Sequence, residues 1–69
     1  MWGLAIIHFR RAISREGNIP AYHLALASAY ININRYELAD KTLSRTEQLG
    51  NTVEVLRLRK RLKALTHKN

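Results

Sequence analysis

Apolar residues recur along this chain at helical spacing. Ala5, Phe9, Ala12 and Ile13 fall at i, i+4, i+7 and i+8, and Val55, Leu58, Leu62 and Leu65 follow at steps of 3, 4 and 3. Each set lies along one side of a helix, where it can meet a neighbour. No stretch alternates apolar and polar residues as a half-buried strand would. Local punctuation then divides the chain into four predicted helices. The first runs from about Leu4 to Glu16 and stops at Gly17-Asn18, a helix-ending pair. The second opens at Pro20, whose missing N–H is harmless in a first turn, and continues to about Ile33. Asn32 to Asn34 break it, because asparagine accepts a left-handed turn and competes for the backbone. The third runs from about Tyr36 to Leu49, with Glu37 and Lys41 in the favourable i, i+4 order, and Gly50 ends it. The fourth begins after Asn51, which with Glu54 resembles a capping box, and reaches about Thr66.

The residue types also return after 34 positions: Ala5, Phe9, Ala12 and Ile13 map onto Ala39, Leu43, Thr46 and Glu47, and Trp2 onto Tyr36. A period of that length marks a stacked array of helical hairpins. From Pro20 the chain reads Pro20, His23, Leu26, Ala27, Tyr30, Asn34, Tyr36, Ala39, Leu43, which resembles the tetratricopeptide repeat. Leu26, Tyr30, Tyr36 and Ala39 match that pattern in type and spacing. His23 stands where the family usually has Trp, Ala27 where it has Gly, Asn34 where it has a turn Gly and Thr46 where it has Ala. The resemblance covers one complete unit, residues 20 to 53, and the second helix of an earlier one. It implies an all-α fold of four short antiparallel helices: residues 4–16 as the second helix of a partial repeat, 20–50 as the complete repeat, and 52–66 as a basic cap.

The frame slips in the last helix. At the strict 34-residue offset Arg57, Lys60 and Arg61 would occupy packing positions, where charge is unfavourable; shortening the offset by two residues puts Val55, Leu58 and Leu62 there instead. Leu56 falls off the seam, so it is a lone exposed group or part of a second contact.

The resemblance further implies a concave groove, lined by the first helix of the hairpin, that holds a protein segment. Its positions here are Leu24, Ser28, Ile31, Asn32 and Arg35, unless Leu24 and Ile31 face another copy of the chain. The family's clamp for a C-terminal carboxylate needs Lys and Asn where Leu24 and Ser28 stand, so that activity is not implied. The opening helix lacks its hairpin mate, which would leave Trp2, Ile6, Phe9 and Ile13 partly uncovered. Each large apolar side chain left in water forgoes roughly 1.5 to 3 kcal/mol. A two-fold homodimer is the simplest cover. The alternative is that the chain is part of a longer array, with this helix at the edge.

Length sharpens that expectation. A 69-residue chain forms one domain at most, and one of this size buries only about 60% of its unfolded surface. It has no cysteine to form a disulfide, which also accords with a cytoplasmic setting. His8, His23 and His67 show no metal spacing with the acids, so neither a metal nor a cofactor is expected. The apolar start, Met1 to Phe9, lacks the flanks of a signal peptide. No apolar run reaches the length of a membrane span.

Charge raises a second possibility. Twelve basic and five acidic residues give a net charge of +7. Arg57, Arg59, Lys60, Arg61, Lys63 and Lys68 crowd the last thirteen positions. Such a segment attracts anions generally, nucleic acid among them. It lacks aromatic residues for base stacking. The acids Glu16, Glu37, Asp40, Glu47 and Glu54 are spread over helix surfaces, and Glu37 with Asp40 has no visible pocket for acid–base work. Gly3, Gly17 and Gly50 are isolated, so no phosphate loop exists. The expectation is a non-enzymatic adaptor, assembly factor or small chaperone that holds a protein segment and self-associates; the alternative is a nucleic-acid-binding helical protein.

Overall fold

A computed structural model describes residues 2–50 and 52–66, the side chains of Trp2 and Thr52 excepted. Among these residues the chain forms helices α1 (Trp2–Arg15), α2 (Pro20–Asn32), α3 (Tyr36–Gln48) and α4 (Thr52–Thr66), and no strand. The all-α class is as expected, and the helix limits agree with the sequence pattern to within two residues. The expected cap at Asn51 and the basic Lys68 lie outside the described residues.

Each turn has a chemical cause. Between α1 and α2, the His23 ring Nε2 bonds the Gly17 carbonyl at 2.8 Å, and His23 is only 5% exposed. The ring thus packs and also ties down the turn before its own helix. At the end of α2, Asn34 adopts φ 63°. The Arg35 N–H then reaches the Tyr30 carbonyl at 2.8 Å and the Asn34 N–H reaches Ile31 at 3.1 Å, the paired bonds of a Schellman motif. The Tyr36 hydroxyl donates to Asn34 Oδ1 at 2.9 Å and closes the turn from the other side. At the end of α3, Gly50 takes φ 100° and its N–H donates to the Glu47 carbonyl.

The central helix can be read from its composition. The α2 segment PAYHLALASAYIN carries no charged residue and buries His23, Leu26, Ala27, Ala29, Tyr30 and Ile31. A helix apolar around most of its circumference must be covered on several sides, and α2 packs on α1, α3 and α4. Its broadest contact is with α3, which buries Ala39, Leu43 and Thr46. Ala27 and Ala39 are both fully buried, and small side chains permit close approach of helix backbones. From the outer helix α4, Val55 and Leu62 complete the core, with Leu58 and Leu65 packed against it. Val55 and Leu62 are buried and Leu58 is half-buried, while Arg57, Lys60 and Arg61 stay exposed, so the apolar seam and not the charged set faces the core.

Thr46 occupies a fully buried site without a polar penalty. Its hydroxyl donates to the Thr42 carbonyl one turn back, at 2.8 Å. The resulting slab measures 39 × 28 × 14 Å. Its surface of 5063 Å² exceeds the about 4,450 Å² expected of a compact monomer of 8.0 kDa. At the two ends of the slab α1 exposes Leu4 and Ile7, and α4 exposes Val53 and Leu56.

Candidate protein-binding surface

A cleft of about 480 Å³ lies between α3 and α4. Tyr36 and Leu62 form its apolar floor, and Thr66 closes one end. Glu37 and Asp40 line the α3 wall; Arg59 and Lys63 line the α4 wall. One residue links the two walls. Arg59 Nη1 donates to Asp40 Oδ1 at 2.6 Å, and Nη2 donates to the Ser44 hydroxyl at 2.8 Å. A planar guanidinium suits such a forked contact better than a lysine ammonium does.

Cleft residues of α4 differ in kind from the residues of α2 one shortened period earlier. A 32-residue offset pairs Ala27 with Arg59, Tyr30 with Leu62 and Ile31 with Lys63. On α2 those residues are buried in the core. On α4 two of the three are cationic.

The residues expected to line a partner groove are placed unequally. Ile31 is only 2% exposed and belongs to the core, so it is removed from the groove set. Leu24 and Ser28 are half-buried, and Leu24 packs against the core. Asn32 and Arg35 remain exposed, with the Asn32 amide donating to the Ser28 carbonyl. The physical reason is the lack of charge on α2: once both flanks are covered, Ile31 has no outward side left.

In the first helix Ile6, Phe9 and Ile13 are partly uncovered, as expected. Their buried sides pack against the core. The outward apolar pair is Leu4 and Ile7, 54% and 48% exposed. The side chain of Trp2 lies outside the described residues. Of the basic set, Arg57, Lys60, Arg61 and Lys63 are exposed, whereas Arg59 is committed to Asp40 and leaves the free patch. Arg57 approaches Glu54 at 4.0 Å, the outer limit of an ion pair. Beside them Val53 and Leu56 are each 63% exposed, which places Leu56 on the surface.

Sequence patterning missed the cleft residues Tyr36, Glu37, Asp40, Leu62 and Thr66 as a group. The available signal was the replacement of Ala27 and Ile31 by Arg59 and Lys63 at the shortened offset. Among the described residues no cluster of His, Cys, Asp or Glu is placed to hold a metal ion, and no helix is long and apolar enough to cross a membrane. Comparison with protein-family models, with curated proteins and with solved structures returns no match.

Proposed function

We propose that this protein is a non-enzymatic protein-interaction module, an adaptor, assembly factor or small chaperone, that seats a segment of a partner in the α3/α4 cleft. The observation that carries the reading is the cleft's construction: an apolar floor of Tyr36 and Leu62 between an acidic and a basic wall. Such a surface combines a desolvated anchor with charges that set orientation. The tetratricopeptide resemblance supports the same class of work. The outward Leu4 and Ile7 support self-association through α1. A cytoplasmic setting accords with a sequence that has no cysteine.

Peptides selected from a random library against the folded chain test this reading. Amide shifts on titration should concentrate at residues 36–40 and 59–66, and Lys63→Glu should weaken binding about tenfold. Binders that leave those positions unmoved would count against the cleft.

The exposed Arg57, Lys60, Arg61 and Lys63 favour a second reading, in which α4 binds nucleic acid. Its test is RNA binding across a salt series, with Arg57, Lys60 and Arg61 changed to Ser. Neutralising three phosphate contacts should lower the slope of log K against log salt by about 2 for a single strand. A flat salt response, or no effect of the triple change, would reject this reading.

A further inference from the structure

A second depression, of about 280 Å³, lies where α1 and α3 flank α2. Its floor is aliphatic, formed by Ile13 and Leu26 above the buried His23. Its rim is cationic: Arg10 comes from α1, and Lys41 and Arg45 come from α3 one turn apart. No carboxylate lines it. The two ion pairs among the described residues, Arg59–Asp40 and Arg57–Glu54, involve none of these three cations.

The arrangement follows from how α3 distributes its charges. Glu37 and Asp40 turn toward α4, where they line the larger cleft, while Lys41 and Arg45 turn toward α1. One helix therefore presents acid on one side and base on the other. Bringing Arg10 to the basic side sets three like charges around one apolar floor. That arrangement is mutually repulsive when empty and complementary to an anion.

We infer that this α1/α3 groove is a separate docking site for an acidic amphipathic protein segment, with one apolar side chain on Ile13 and Leu26 and flanking carboxylates on Arg10, Lys41 and Arg45. The size supports a side-chain anchor, because drug-sized ligands occupy about 300–1,000 Å³ and this groove holds less. The chemistry favours protein over nucleic acid: the floor offers methyl groups that match an aliphatic side chain, and the aromatic ring in the lining, His23, is buried and presents no platform for base stacking. Arginine–carboxylate contacts add geometric selectivity through paired hydrogen bonds.

The test uses the full chain and a short fluorescein-labelled peptide with one Leu between Glu residues. Controls carry Lys in place of Glu, or Ser in place of Leu. Lys41→Gln with Arg45→Gln should weaken binding of the acidic peptide about tenfold, since it removes two of the three rim charges. Both positions are exposed, and Gln forms helices nearly as well as Lys and Arg, so the fold should persist by circular dichroism. The Arg57, Lys60 and Arg61 to Ser variant should change the affinity less than about twofold, as distant exposed charges are screened. Amide shifts should appear at residues 10–13 and 41–45, separate from the α3/α4 cleft, so the two sites can fail independently. The inference is overturned if the Lys peptide binds equally well, or if the Gln pair leaves affinity unchanged. It is also overturned if the shifts fall on α4, or if a single-stranded RNA occupies the groove more tightly than the peptide does.

Discussion

Asn34 shows how one residue sets a chain reversal. Its φ of 63° is open to asparagine and glycine at little cost, and the turn that joins the two central helices depends on it. Asn34→Ala should cost about 1 kcal/mol in urea denaturation. Asn34→Gly should sit near neutral: it relieves the Cβ but loosens the unfolded chain and forfeits the exposed bond from Tyr36. Ala39 makes the opposite case, a position whose value lies in smallness. It is fully buried in the core cluster of α2, α3 and α4, and Ala39→Leu should overpack that contact and cost roughly 1 to 3 kcal/mol by thermal or urea unfolding. A neutral outcome would mean that the helices do not approach closely at that point.

At the scale of elements, the fourth helix joins the array through a seam and one polar tie. The seam is Val55 and Leu62, with Leu58 and Leu65 beside them. The tie is Arg59, which spans to Asp40 and Ser44 on α3. Because the Arg59 and Asp40 side chains are 32% and 55% exposed, solvent screens their attraction. A double-mutant cycle on Arg59 and Asp40 should therefore give a coupling of about 0.3–1 kcal/mol that shrinks in molar salt. Arg59→Lys should lose the fork to Ser44 while keeping the charge, and so recover only part of that coupling. Equal stability of Arg59→Lys and the parent chain would show that the fork adds nothing.

At the scale of the molecule, the open sides of α1 and α4 matter most. A domain this small has only a few kcal/mol to spare, and exposed Leu4 and Ile7 on one end with Val53 and Leu56 on the other forgo part of what burial would supply. Self-association through α1 predicts a dimer by sedimentation at micromolar concentration, dissociated by Ile7→Glu with the helical content kept. Ile7 suits this test because its exposure separates the interface from the fold. Phe9→Asp, in contrast, should unfold the chain, since Phe9 packs against the core. A parent chain that is monomeric at that concentration would remove self-association from the reading and leave the clefts as the remaining candidates.

Much of this architecture is legible in the order of residues alone. Helical spacing of apolar groups, Pro20 at a helix start, and Asn34 and Gly50 at positive φ are local matters, decided within one or two turns of chain, so periodicity and turn chemistry locate all four helices. The uncharged α2 could likewise be picked out as the central helix. What tertiary packing decided is which side of each helix remained available. Ile31 left the predicted groove because it is buried in the core, and Arg59 left the basic patch because Asp40, nineteen residues away, came within 2.6 Å. Burial and charge pairing depend on distances between segments remote in sequence, whereas helix formation depends on neighbours along the chain; the helices were therefore legible from sequence, and the surfaces they present to partners came only with the fold.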